Sequence, residues 1–357
     1  MKYLKFEMIL ILLIVISILG FVSINKHNLQ NELKSKTDIT STNGIQTLEE
    51  LDINGDKQWI SIRGQDKRNP VILMVHGGPG SPDLSMARYH DFITEKYFVV
   101  VRWDQRNAGK SFHFLSSSGT LEIDTFIKDI HDLTQYLKKS LNKEKIFLAG
   151  HSWGSIISLL AVNRYPQDYI AYIGIGQFVN ARENESVSYR FTLQEAQKDK
   201  NDIAINELTQ IGEPPYNSLQ DLGKEREWLG YYGGGMYHGE LKNGMYQHLG
   251  KMMFSSPEYS LLDNLRFFAG MATSLIKVWP HVDGIDLPNQ AKTFKIPVYF
   301  LIGRYDYNTP WELSEKYFNL LSAPKKKYVW FENSAHAPNY EEPEAFGNEL
   351  KKIRDDN

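Results

Sequence analysis

Short, uninterrupted apolar runs recur along the chain, separated by stretches in which apolar residues return every three or four positions. The runs "VILMV" (71–75), "YFVVVRWD" (97–104), "KIFLAG" (145–150), "YIAYIGIG" (169–176), "PVYFLIG" (297–303) and "KYVWF" (327–331) predict strands. A further strand is predicted at "KQWISIRG" (57–64). Apolar runs without polar alternation belong to strands covered on both faces. Ile123 to Leu137 predicts a helix with Phe126, Ile127, Ile130, Leu133 and Leu137 on one face. "SIISLLAVNRY" predicts a second helix that stops at Pro166. Strands alternating with helices predict an α/β fold: a mostly parallel sheet with helices on both faces.

The pattern breaks between about Phe178 and Lys295. Charged residues, the glycine-rich "YYGGGMYHG" (231–239) and helical spacing replace strands there. The prediction is a helical cap at 178–295, inserted between a first part of the core at 45–177 and a second at 296–357.

At the N-terminus, Lys2 and Lys5 precede "MILILLIVISILGFVSI", a run from Met8 to Ile24 without a charge. At 1.5 Å per residue it spans roughly 25 Å, at the short end of what crosses a bilayer. Ser17, Gly20 and Ser23 lie three apart rather than two, which departs from the small-x-small pattern of a cleaved signal. Residues 1–24 are therefore read as a membrane anchor, with a cleaved secretion signal as the alternative. The polar stretch 25–44 is read as a linker. Lysines flank both ends of the run, so charge does not orient it. The corresponding location is the surface of a bacterial cell, or outside it if the segment is cleaved.

Composition narrows the chemistry. The formal net charge of −3 gives no general reason to expect a nucleic-acid partner. The chain has no cysteine, which removes disulfides, thiolate metal sites, a cysteine nucleophile and a lipid-modified cysteine. The oligomeric state stays open.

One motif carries a reaction. Gly150-His151-Ser152-Trp153-Gly154 fits G-x-S-x-G where a predicted strand becomes a helix. The bend there is too tight for side chains, so Gly150 and Gly154 flank it, and the helix N-terminus behind Ser152 favours negative charge. A serine hydroxyl attacks only when a base takes its proton. In this type of site the chain order is Ser, then Asp or Glu, then His. His336, in the loop after "KYVWF", is the candidate base; His281 lies inside the inserted region and is read as structural or pocket-lining. Asp306, three residues past a strand end, is the candidate carboxylate. Asp283 and Asp286 are rivals that lack a preceding strand.

Attack on an acyl group creates an oxyanion that needs N–H donors. The candidates are the backbone N–H groups of Trp153 and of Gly78, in the loop His76-Gly77-Gly78-Pro79-Gly80. Glycines let backbone rather than side chain approach the substrate. His76, Gly77 and His151 are read as support for these loops.

Together "HGGPG" (76–80), "WDQRNAGKS" (103–111), "GHSWGS" (150–155), "GRYD" (303–306) and "SAH" (334–336) resemble the α/β-hydrolase fold, and more closely the proline iminopeptidases, the S33 serine peptidases. The resemblance spans roughly residues 50 to 350. It implies a triad of Ser152, Asp306 and His336, a helical cap over the site, and release of an N-terminal residue, often proline, from peptides. It implies no metal and no organic cofactor. Two features depart from the family. Asn107 stands where glycine is usual, and the cap motifs whose glutamates hold the substrate amine have no match. Glu213, Glu225, Glu227 and Glu240 are the carboxylates considered for that role.

Two other readings compete. The same chemistry could serve an esterase, lipase-like or amide hydrolase acting on a small acyl substrate. A non-catalytic binding protein on this fold is the alternative of another class; an intact Ser, Asp and His set argues against it.

Overall fold

The computed structural model describes the chain except residues 1, 116–118, 120 and 238; the side chains of 2–16, 18, 19 and 239–246 are also outside the description. After helix α1 (Lys2–Thr37) come strands β1 (Ile45–Ile53), β2 (Asp56–Gly64), β3 (Val71–Val75) and β4 (Val99–Asp104). Helix α2 (Ile123–Ser140), β5 (Ile146–His151), α3 (Trp153–Arg164) and β6 (Tyr169–Ile175) follow. Five longer helices precede the next strand: α4 (Ala181–Lys198), α5 (Asp202–Ile211), α6 (Leu219–Tyr231), α7 (Gly239–Ser255) and α8 (Leu261–Val282). The chain ends with β7 (Val298–Gly303), α9 (Trp311–Leu320), β8 (Lys326–Phe331) and α10 (Pro343–Asp355).

The eight strands form one sheet in the order β1-β2-β4-β3-β5-β6-β7-β8. β1 pairs antiparallel with β2, and β2 antiparallel with β4; all other pairs are parallel. Successive β3 side chains go to opposite faces, as the strand period requires. Val71, Leu73 and Val75 join a core with α2 and α3, while Ile72 and Met74 join one with Phe346, Leu350 and Ile353 of α10. The helical face expected on α2 is buried in the first of these cores. Register aligns the carboxyl ends: Val75 of β3 pairs with Trp103 of β4 and Gly150 of β5. Loops leaving these strands therefore meet at one edge, the usual place for a site in a parallel sheet.

Two regions differ from the sequence reading. No strand was expected at 45–53, yet β1 forms a hairpin with β2 through Asn54 and Gly55, both left-handed at φ 49° and 74°. That Asn-Gly pair is the short-range signal for such a turn. The second difference is the stretch expected to be a linker. It is helical to Thr37 and is tied down: Lys26 Nζ donates to Phe254 O at 2.6 Å, and Gln30 Nε2 to Ser256 O and Tyr259 O at 2.7 and 3.0 Å. Arg63 closes the end of the helix by donating to Thr37 O at 2.6 Å. Among the described residues, no helix is long and apolar enough to cross a membrane. Most side chains of the expected anchor at 8–24 fall outside those residues.

Candidate active site

Ser152 sits between β5 and α3 at φ 55°, ψ −123°, a conformation rare for a residue with a side chain. The neighbours make that bend feasible. A Cβ on Gly150 would lie 2.3 Å from Gly154 O, and one on Gly154 would lie 2.2 Å from Val75 O. Only bare backbone lets α3 pack this closely on β3 and β5. Ser152 N–H donates to Ile175 O at 3.0 Å, which fixes the bend to the next strand.

Across the same cavity, His336 Nδ1 lies 3.0 Å from Asp306 Oδ2. The pair is held from several sides. Thr309 N–H donates to Asp306 Oδ1 at 2.8 Å, and its hydroxyl donates to Asp306 Oδ2 at 2.9 Å while lying 3.0 Å from His336 Nδ1. His336 N–H donates to Gly235 O at 3.1 Å, and His151 Nε2 lies 3.0 Å from His336 O. Asp306 is wholly buried, so its charge is aimed at the imidazole rather than at solvent. Burial, and secondarily the His336 imidazole beside it, push His151 down to about 3, so that ring is neutral and works as a hydrogen-bonding partner.

The loop after β3 faces Ser152. A Cβ on Gly77 would lie 3.0 Å from Ser152 Cβ. Gly78, at φ 119°, takes a conformation that favours glycine, and a Cβ there would lie 2.5 Å from Gly80 N. His76 is buried behind the loop, with Nδ1 2.8 Å from Gly77 O and Nε2 accepting from Gln105 N–H at 3.2 Å. Gln105 ties the two halves of the site: its Nε2 donates to His76 O at 2.9 Å, and its Oε1 accepts from Trp153 Nε1 at 3.1 Å. Gly78, Ser152, Trp153 and His336 all line a cavity of about 600 Å³.

The rest of the "WDQRNAGKS" stretch joins core to cap. Arg106 pairs with buried Asp129 of α2. Asn107 is left-handed at φ 62°, and its Nδ2 donates to Thr273 Oγ1 at 2.8 Å and Ser274 Oγ at 3.0 Å on α8. Asparagine here keeps the backbone of the usual glycine and adds a tie to the cap. Lys110 pairs with Asp263, and Asp104 accepts from Tyr259.

Of the four cap carboxylates considered, none lines the cavity among the described side chains. Glu213 and Glu227 are exposed. Glu225 is buried and accepts from Ser188 Oγ and Thr192 Oγ1 at 2.9 and 3.0 Å. The side chain of Glu240 lies outside the described residues. The carboxylate that does line the cavity is Glu185, which the sequence did not single out. It accepts twice from Arg226, at 2.6 and 2.7 Å, and Arg226 also pairs with Glu225. Burial raises the Glu185 carboxyl above its usual value, against the Arg226 charge. Neither Asp283 nor Asp286 lines the cavity that holds His336: Asp283 lines an adjoining cavity that shares Phe178, Glu185 and Trp279 with it, and Asp286 stands at the start of a short helical turn. His281 is exposed and is not in the cavity wall. No group of three or more His, Asp or Glu among the described residues is placed to hold a metal ion.

Comparison with known proteins agrees with this architecture. A protein of Bacillus subtilis (strain 168) named "Probable aminopeptidase YbaC" is 34% identical over 322 residues, covering 88% of this chain and 98% of its own. A proline iminopeptidase of Heyndrickxia coagulans is 24% identical over 306 residues, covering 83% and 94%. Among solved structures, a proline iminopeptidase-related protein of Thermus thermophilus superposes with a TM-score of 0.57 at 19% identity, covering 86% of this chain and 96% of its own. At that identity the likeness speaks for the fold alone. Residues 70–343 match the α/β hydrolase fold family, and with relatives named as aminopeptidases and proline iminopeptidases, this chain belongs to that family.

Proposed function

We propose that the chain is a serine hydrolase that releases N-terminal residues from peptides in the manner of a proline iminopeptidase. The observation that carries the reading is the His336–Asp306 contact of 3.0 Å on the same cavity as the bent Ser152. In this reading His336 Nε2 takes the Ser152 proton as the hydroxyl attacks the substrate carbonyl. Asp306, accepting from Nδ1–H, sets the tautomer and stabilises the imidazolium. The oxyanion is held by the N–H groups of Gly78 and Trp153, donors fixed in place before the charge develops. His336 then protonates the leaving amine, and water releases the acyl group by the same steps.

Release of one residue requires recognition of a free amine. Glu185 and Glu225 share the single guanidinium of Arg226, which leaves one formal negative charge in excess beside the cavity. A substrate ammonium placed there would balance it, and Asn184 lines the wall next to it. Glu185 thus takes the part for which Glu213, Glu225, Glu227 and Glu240 were considered. We also read residues 8–24 as the membrane anchor, on the strength of their charge-free sequence; carbonate extraction and the mass of the mature N-terminus test that.

Ser152→Ala should abolish fluorophosphonate labelling and the cleavage of alanyl and prolyl anilides while leaving the fold intact. Labelling that persists in this variant would refute the nucleophile. Preference for uncharged acyl esters, with no effect of N-acetylation on anilides, would favour an esterase.

A further inference from the structure

Helix α8 carries Leu262, Leu265, Phe268 and Ile276 at 49%, 63%, 55% and 62% exposure. Helical spacing places them, with exposed Ala272, on one arc of the helix. The neighbouring arc, with Met271, Leu275 and Trp279, lines the cavity that holds Ser152, and Ala272 belongs to both. Apolar surface therefore runs without interruption from the outside of the cap into the active-site wall. Single exposed apolar residues need no explanation, but a contiguous stripe bordering a site marks a contact surface.

Two observations say what meets it. The cations beside the stripe are Lys277 and Arg266; Arg266 donates at 2.9 Å to Asp263, the single acid of α8, which is buried and also bonded to Lys110, and exposed Asp283 follows the helix end. An apolar arc edged by Lys and Arg suits the headgroup boundary of a bilayer. In addition, α1 grips the turn leading into α8 through Gln30, and the sequence of α1 upstream is the charge-free run of 8–24. The helix with the strongest apolar run is thus bonded to the base of the helix with the exposed stripe.

We propose that the α8 stripe rests on an anionic lipid bilayer, and that the cavity takes lipophilic aminoacyl or acyl substrates presented from that surface, entering beside Ala272. The substrate clause rests on the hydrolase reading above; the contact with lipid does not.

The absence of cysteine makes single labels unique. Full-length chain carrying Leu265→Cys, Phe268→Cys or Ile276→Cys, each with a nitrobenzoxadiazole label, is reconstituted in phosphatidylcholine–phosphatidylglycerol vesicles. The three labels should brighten about threefold and be quenched by acyl-brominated lipid, as interfacial burial requires. A label at Lys128→Cys on α2 should stay open to aqueous iodide. Labels on α8 as open to iodide as the one on α2 would overturn the proposal. Leu265→Glu combined with Phe268→Glu should slow hydrolysis of a vesicle-borne, long-chain aminoacyl substrate about tenfold and leave a soluble alanyl anilide within about twofold. Equal change on both substrates would overturn the entry route. Lipid-buried labels on a protein that cleaves neither substrate would sink the hydrolase reading and leave the membrane contact standing.

Discussion

Gly176, left-handed at φ 49°, lies directly against His336: a Cβ at this glycine would come within 2.8 Å of the His336 Nδ1. The imidazole can face Asp306 only because nothing projects from that backbone. Gly176→Ala should strain the turn by about 1–2 kcal/mol and displace the ring. Turnover should fall much more than thermal stability. Wild-type turnover in a folded Gly176→Ala protein would show that the ring has room elsewhere.

Asp306→Asn keeps the shape of the pair but reverses its hydrogen-bond preference. The proposed mechanism then predicts a drop in kcat of roughly 10⁴-fold with KM little changed. Steady-state kinetics on an alanyl anilide decide it; an unchanged kcat would mean that Asp306 only braces the Thr309 turn.

Glu185→Gln removes the excess negative charge at the cavity. For a free-amine anilide, kcat/KM should fall by the equivalent of about 1.5–3 kcal/mol, the scale of hydrogen bonds to charged groups. Most of the change should be in KM. An equal fall on an acyl ester would show that Glu185 holds the cap together rather than the substrate.

His90 is buried against Tyr340, and neither of its ring nitrogens has a partner among the described residues. Burial, with the Arg102 charge nearby, pushes it down to about 3 from an ordinary 6.5. A base depressed on folding adds stability that is full above about pH 6.5 and is lost as pH falls toward 3. Urea denaturation from pH 7 to 4 should therefore show falling stability. His90→Phe should flatten the decline without abolishing it, since His151 behaves alike. An unchanged slope would place the acid sensitivity elsewhere.

Asp104 has the opposite sign. Burial lifts its carboxyl to about 7, against hydrogen bonds from the Tyr259 hydroxyl and the Lys110 N–H that pull it down. An acid raised on folding contributes fully below about pH 4 and loses that contribution as pH rises through 7. Asp104→Asn should gain stability over the wild type progressively between those values, by at most about 4 kcal/mol at 1.36 kcal/mol per pKa unit. A constant difference across the range would count against it.

The sequence by itself determined the strands of the parallel sheet, because an uninterrupted run such as "VILMV" can be buried on both faces only there. It also signalled the bend at Ser152, since Gly150 and Gly154 remove the two side chains that would clash with backbone there. Local chemistry sufficed for both. The β1–β2 turn was equally local and was signalled by Asn54-Gly55. Tertiary structure alone decided what depends on distant contacts. The 25–37 stretch reads as a polar tether, yet Lys26 and Gln30 find carbonyls more than two hundred residues away and the helix continues. Glu185 looks like any solvated cap glutamate until Arg226 meets it across the cap, whereas Glu213 and Glu227, identical in type, face water. A charge's surroundings, not its identity, set whether it is buried, and those surroundings exist only once the chain has folded.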